Sequence, residues 1–199
     1  MNYRQLPEGY ELLRSIDLQK DRRLALLVNG LALFIAVVMV LAALPFVPFS
    51  TFISIRTPTL SDVARPLLLL PALLFYVVTH ELIHGFYMKR FSGMKAKYGF
   101  TGLYAYAGSE AYFNRRSYLI ISLAPVALWG ALLMILNFAL PVSWFWFVYI
   151  VQIMNLSGAS GDFTSRSTCR ACRVQSLIQD SGTSMDVYAR VEKVDTREV

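Results

Sequence analysis

The sequence predicts an all-α integral membrane protein with about four transmembrane helices and a short interfacial β segment between the second and third helices. Of its 199 residues, 56% are hydrophobic and 16% are charged, and the mean hydropathy is +0.48. A soluble domain usually carries about 25% charged residues, so this chain has too few charges to solvate a compact surface. Its apolar residues also fall into runs of about 20 residues, the length of helix that crosses a bilayer core.

Four apolar runs are predicted to span the membrane, at residues 24–44, 66–88, 117–140 and 143–163. They divide the chain into a cytoplasmic N-terminal segment 1–23, a four-helix membrane domain 24–163 and a cytoplasmic C-terminal segment 164–199. The N-terminal segment has no short apolar core followed by a small-residue cleavage site, so the first run is expected to be a retained helix.

The 19 Lys and Arg residues lie in blocks at the edges of these runs. Five precede the first run, two lie between the first and second, six between the second and third, none between the third and fourth, and six after the fourth. Because cytoplasmic loops are enriched in Lys and Arg, both termini and the loop 89–116 are predicted to be cytoplasmic in a multi-pass protein of the cell membrane. Topology thus explains the net charge of +6, and nucleic acid is not an expected partner.

Two segments outside the apolar runs have the alternation of a strand. Residues 98–113, YGFTGLYAYAGSEAYF, alternate small and aromatic residues, which favours a short strand or hairpin, with an aromatic interfacial belt as the alternative. The run MDVYARV at 185–191 alternates in the same way. The only cysteines, Cys169 and Cys172, form a single CxxC pair far from both histidines, so a reduced thiol pair is expected there and a zinc knuckle is not.

Residues 80–84 read His-Glu-Leu-Ile-His and contain the only two histidines of the chain. On a helix, positions i and i+4 share a face, so His80 and His84 can bind one zinc ion. Glu81 can then act as general base towards a zinc-activated water and as general acid towards the leaving group. Core histidines with satisfied hydrogen bonds are the alternative. Ionisable groups within an apolar helix, however, cost on the order of 3 kcal/mol each and usually mark function.

A catalytic zinc ion takes a third protein ligand, and with no further histidine that ligand is expected to be a carboxylate. Asp162 and Glu110 are the candidates. Asp162 is favoured because the end of the fourth run returns to the cytoplasmic side at a depth similar to that of His84. Small residues before Asp162 also permit close helix packing.

Three further polar residues are candidates to contact substrate or to support the ligands. Asn155 lies seven residues before Asp162, on nearly the same helical face, and either holds a ligand or substrate carbonyl or packs between helices. Tyr104 and Tyr106 belong to the predicted interfacial β segment.

The motif HELIHG at 80–85, with GASGD at 158–162, resembles the small zincin peptidases of bacterial membranes, a family long classed as a domain of unknown function. The likeness extends to LPEGYELLRSIDL near the start and LIQDSGTSMDVY near the end. The chain also resembles, more distantly, the site-2 protease clan. The resemblance implies His80, His84 and Asp162 as zinc ligands and Glu81 as the catalytic acid and base, although Phe163 follows Asp162 where the clan has a glycine.

The leading hypothesis is a membrane-embedded zinc metalloprotease that cuts a peptide bond near the cytoplasmic interface. Its partners would be the lipid bilayer and a membrane protein or peptide substrate, which lies in extended form along residues 98–113. The alternatives are a zinc-dependent hydrolase of a lipid or other amide and a non-catalytic metal-binding transporter or sensor. The transporter hypothesis gives no role to Glu81, and the sequence has no repeat or trail of intramembrane polar groups.

Overall fold

A computed structural model describes residues 1–17, 20–53, 59–102, 104–160 and 176–190. Its helices are α1 (Arg22–Ala43), α2 (Leu60–Ser92), α3 (Arg115–Ala139) and α4 (Phe145–Gly158). Within the described residues, α1, α2 and α3 are long and apolar enough to cross a membrane, and α4 is a shorter apolar helix. Each predicted span therefore corresponds to a helix, and the crossing of the membrane by α4 remains a prediction.

Polar side chains define where the long helices begin and end. Asp21 accepts hydrogen bonds from the first turn of α1, and Asn114 accepts one from the first turn of α3. At the start of α2, Thr59 and Asp62 form a capping box. The same helix ends at Gly93, whose φ of 70° is readily adopted only by glycine. These caps satisfy backbone groups at the helix ends, where apolar side chains offer no partners.

The strands of the described ranges form two antiparallel sheets. They are β1 (Tyr10–Asp17), β2 (Lys97–Phe100), β3 (Ala105–Gly108), β4 (Tyr112–Asn114), β5 (Ser176–Asp180) and β6 (Ser184–Arg190). One sheet has four strands in the order β1-β6-β5-β4, and the other is the hairpin β2-β3. Since β1 leads into α1, β2 follows α2 and β4 leads into α3, the strands gather at one end of the helices.

The β structure exceeds the predicted amount. The strands β2, β3 and β4 confirm a β segment between the second and third apolar helices, and β6 confirms the strand at MDVYARV, whereas the position of the segment at the membrane interface stays a prediction. The description of the chain as all-α is nevertheless too narrow, because β1 and β5 also form. The strand β1 pairs with β6, more than 160 residues away, and no local pattern announces such a pairing.

A buried core joins the four-stranded sheet to the ends of α2 and α3. Phe113, Ile178 and Val187 contribute from the sheet and are fully buried. Met88 contributes from α2, one turn after His84, and Ile121 contributes from α3. The C-terminal hairpin β5-β6 is therefore packed against the end of α2 that carries the HELIH motif.

The position of Arg65 differs from the prediction, which placed this residue in the loop before the second span. It lies inside α2, where its side chain is only 4% exposed. Its guanidinium donates to Asp62 Oδ1 at 2.8 Å and to the carbonyl oxygens of Thr51 at 2.6 Å and Ser143 at 2.5 Å. One buried cation thus joins the start of α2 to the short 3-10 turns that precede α2 and α4.

We expect Arg65→Met to lower the free energy of unfolding by about 3 kcal/mol or more, because the substitution leaves the buried Asp62 carboxylate without its cationic neighbour. Thermal unfolding in detergent measures the effect. The double variant Asp62→Asn/Arg65→Met is expected to recover much of the loss, since the amide removes the buried charge and keeps an acceptor for the Thr59 cap. An unchanged midpoint for the single variant would contradict this role.

Candidate metal centre

The HELIH motif lies on α2 and brings three candidate ligands together. His80, Glu81 and His84 each offer a ligand atom, and these atoms lie within 4.8 Å of one another. The two imidazole rings are 4.9 Å apart between centroids. His80 and His84 are 9% and 8% exposed, and Glu81 is half-buried. This is the clustering that the i, i+4 spacing predicts.

A chain of hydrogen bonds sets the tautomer of His80. The Val126 carbonyl can only accept, so Asn155 must turn its Nδ2 towards it, at 3.1 Å. Asn155 Oδ1 then faces the Tyr76 hydroxyl at 3.1 Å and takes its single proton. The Tyr76 oxygen lies 2.9 Å from His80 Nδ1, so it accepts the proton that Nδ1 carries. The lone pair of His80 is therefore on Nε2.

A single hydrogen bond sets the same tautomer in His84. Its Nδ1 lies 2.9 Å from the carbonyl oxygen of Ile121 on α3. Because a carbonyl oxygen can only accept, Nδ1 carries the proton and Nε2 the lone pair. Two imidazoles with Nε2 lone pairs beside a carboxylate are a donor set that suits zinc. In metal sites, a hydrogen bond from the other ring nitrogen, here Nδ1–H, orients the histidine towards the ion.

We expect both histidines of the metal-free protein to carry their ring proton on Nδ1. The measurement is the ¹⁵N chemical shift of the four ring nitrogens in protein labelled at histidine, purified without a polyhistidine tag. The spectra are recorded at about pH 8.5, where free imidazole in water is neutral, so each shift reports the tautomer directly. A proton on Nε2 of either ring would contradict the assignment.

The two carboxylates considered as third ligand have different positions. Glu110 is exposed and forms an ion pair with Lys97, outside the group of His80, Glu81 and His84. The hydrogen bond and charge of Lys97 lower the pKa of Glu110, which keeps this carboxylate ionised at the surface. Asp162 lies outside the described residues, as do Cys169 and Cys172.

The other candidates have distinct surroundings. Asn155 is fully buried and acts on His80 through Tyr76. The ring of Tyr106 lies against Gly99 and Gly182 with no room for a Cβ at either position, so it joins the β2-β3 hairpin to the β5-β6 turn. The Tyr104 hydroxyl is buried without a hydrogen-bond partner among the described residues, and a substrate contact by Tyr104 stays a prediction.

Two polar residues near the histidines were not singled out from the sequence. Tyr76 lies four residues before His80, so helical periodicity alone was a usable signal. Asp180, at the end of β5, accepts hydrogen bonds from the Tyr118 hydroxyl at 2.9 Å and from the Gly182 amide at 2.8 Å. Burial raises the pKa of Asp180, while these bonds and the nearby His84 act in the opposite direction. No sequence signal places Asp180 here, because β5 comes from a distant segment.

Comparison with known proteins gives one match. A family model described as putative zincin peptidase matches residues 73–177, just over half of the chain. The matched range includes the HELIH motif, both strands of the hairpin β2-β3, α3 and α4. No curated protein and no solved structure matches the chain.

Proposed function

We propose, because the chain belongs to the putative zincin peptidase family, that it is a membrane-embedded zinc metalloprotease acting near the cytoplasmic interface. The observation that carries the proposal is the position of His80, Glu81 and His84 as one group on α2, a helix long and apolar enough to cross a membrane. The test compares zinc content with cleavage of membrane peptides in detergent or lipid, for the wild-type protein and a Glu81 variant.

The residues of the group fit the tasks of a hydrolytic zinc site. The Nε2 atoms of His80 and His84 would hold the ion, and a carboxylate, for which we propose Asp162, would complete the protein ligands. Zinc supplies Lewis acidity when bound, since it makes a water more acidic and polarises a carbonyl. The hydrogen bonds that His80 Nδ1–H donates to the Tyr76 oxygen and His84 Nδ1–H donates to the Ile121 carbonyl hold both rings in the tautomer that binding needs.

Glu81 moves the proton in this mechanism. Its carboxylate accepts a proton from the attacking water as the water oxygen bonds to the carbonyl carbon of the substrate. It then donates that proton to the departing nitrogen as the carbon–nitrogen bond breaks, which leaves a carboxylic acid and an amine. Glu81 returns to its starting state, so each turnover consumes one water.

The four-stranded sheet supports the proposed topology. The strand β1 precedes the first helix, β4 lies between α2 and α3, and β5 and β6 follow α4, yet all four belong to one sheet. Strands that pair must lie on the same side of the membrane, so an even number of crossings separates each of these segments. The enrichment of Lys and Arg in the same segments favours the cytoplasmic side. In this topology Lys89 would lie at the cytoplasmic side, and His84, five residues earlier on the helix, would lie about 8 Å from it, with His80 one turn deeper.

The β2-β3 hairpin is a suitable place for an extended substrate. Among the described strands β2 pairs only with β3, and none of them pairs with its other edge, which we call the open edge. The Tyr98 hydroxyl lies against Gly85, where a Cβ would not fit, and this contact brings β2 beside the turn that carries His84. A peptide that adds as a strand to β2 would gain backbone hydrogen bonds close to the proposed zinc site.

The register of the hairpin identifies which amides such a peptide would meet. Thr101 N–H donates to the Tyr104 carbonyl at 3.0 Å, and hydrogen-bonded pairs alternate from there. The amide of Phe100 therefore points to the open edge, whereas that of Gly99 points to β3. We expect Phe100→Pro to lower kcat/KM for an extended peptide about 3- to 10-fold, the effect of one hydrogen bond. Peptide cleavage at several substrate concentrations measures the loss.

The matched control is Phe100→Ala, which removes the same exposed side chain and keeps the amide. It is expected to cleave peptides like the wild-type protein. Equal kcat/KM values for the proline and alanine variants, both folded, would show that no substrate strand pairs with this edge.

A further inference from the structure

The Ile121 carbonyl that accepts the His84 proton lies in an unusual position in α3. In a regular helix this oxygen would accept the amide N–H of residue 125. Residue 125 is proline, which has no N–H, and its ring pushes the carbonyl four residues earlier out of line. Ile121 and Pro125 are both buried, so water is a poor substitute for the lost donor. His84 Nδ1 lies 2.9 Å from this oxygen and donates the hydrogen bond that residue 125 cannot.

We propose that Pro125 is a positioning residue of the metal centre. By removing the helical donor to the Ile121 carbonyl, it commits this oxygen to His84 Nδ1–H and directs the Nε2 lone pair to the ion. The part of the proposal that concerns metal rests on the proposed function, whereas the part that concerns the tautomer of His84 does not.

His80 provides an internal comparison. Its hydrogen-bond chain also ends on an α3 carbonyl, that of Val126, but the residue four positions later is Gly130, which has an N–H. Asn155 Nδ2 shares this carbonyl with the helix beside Gly130, where a Cβ would lie 3.4 Å away, at ordinary van der Waals distance. Only the His84 contact, therefore, depends on a proline. A change at position 125 should alter His84 and leave His80 unchanged.

Two substitutions separate the absent N–H from the other properties of proline. Pro125→Ala restores the amide, which will compete with His84 for the Ile121 oxygen. Replacement of Pro125 by lactic acid, introduced by nonsense suppression, gives the same methyl side chain on an ester linkage without N–H. Both are measured by the ¹⁵N shifts of the histidine rings in metal-free protein at about pH 8.5 and by zinc affinity in competition with a chelator.

Pro125→Ala is expected to reduce the Nδ1–H population of His84 and to weaken zinc binding about 10- to 100-fold, the usual effect of losing an outer partner of a ligand. The lactic acid variant is expected to keep the wild-type tautomer and affinity. The signals of His80 should be the same in all three proteins and thereby report an intact fold.

Three results would overturn the proposal. One is a Pro125→Ala protein with the wild-type His84 tautomer and zinc affinity. The second is an equal loss in the alanine and lactic acid variants, which would assign the effect to the ring geometry of proline. The third applies if Pro125→Ala does not fold: the lactic acid variant then decides alone, and loss of the Nδ1–H form in it counts against the proposal. Because the tautomer is read without metal or substrate, failure of the proposed protease activity would leave this result interpretable.

Discussion

Glu81→Gln is expected to retain zinc and to lose peptide hydrolysis, with kcat lower by about 10²- to 10⁴-fold, the usual contribution of general acid–base catalysis. Glutamine matches glutamate in size, so the packing of α2 around the two histidines should persist. Its amide, however, has no basic oxygen that can accept a proton from water at neutral pH. Zinc content by elemental analysis and cleavage of membrane peptides by mass spectrometry, on the same preparation, measure both expectations.

Glu110→Gln is the matched control for this experiment. It makes the same chemical change at an exposed carboxylate that pairs with Lys97 and lies outside the histidine group. We expect its turnover and zinc content to equal those of the wild-type protein, whereas loss of zinc would make Glu110 the third ligand. For Glu81→Gln, wild-type turnover would exclude Glu81 as the proton carrier, and loss of zinc would show that it binds the metal.

His84→Ala is expected to lose zinc and turnover together. The substitution removes one of two imidazole ligands, and a histidine from elsewhere cannot replace it because the chain has only two. The affinity should therefore fall by more than the 10- to 100-fold that loss of an outer partner causes. Zinc affinity by chelator competition, with residual cleavage at saturating zinc, measures the loss.

Tyr76→Phe gives a graded comparison for His84→Ala. It keeps both imidazoles and the ring packing of α2 but removes the hydroxyl between His80 Nδ1 and Asn155. Its zinc affinity is expected to fall only about 10- to 100-fold. Equal zinc affinities for the wild-type and His84→Ala proteins would exclude His84 as a ligand. A zinc affinity of Tyr76→Phe as low as that of His84→Ala would contradict the role of Tyr76 as a partner of His80 that does not itself bind the metal.

The parts of the fold that the sequence predicted correctly depend on neighbouring residues. The long apolar helices follow from runs of about 20 apolar residues, and β2, β3 and β6 follow from alternation over a few positions. The strand β1 was not predicted because most of its side chains are exposed and its pairing partner is near the other end of the chain. Arg65 was assigned to a loop because the apolar run begins only at residue 66, and two of the acceptors that permit its burial come from turns that precede different helices.

The candidate site also has residues that local sequence predicts and residues that it does not. The shared face of His80 and His84, and the adjacent position of Glu81, follow from 3.6 residues per turn and needed no knowledge of the fold. Tyr76 belongs to the same periodic face and was within reach of the same reasoning. Asp180 was not, because a turn of the C-terminal hairpin brings it towards α2 from β5.

The sequence by itself determined the long apolar helices, which are compatible with a membrane protein, and the single HELIH group, because hydropathy and helical spacing act over short stretches of chain. Only the tertiary structure decided which nitrogen of each histidine carries the proton. The groups that fix the tautomers come from other helices: Ile121 accepts from His84, 37 residues away, and Asn155 accepts from Tyr76, 79 residues away, which leaves the Tyr76 oxygen to accept from His80. A hydrogen bond requires a separation near 3 Å, and residues so far apart in sequence reach it only when α2, α3 and α4 are packed together.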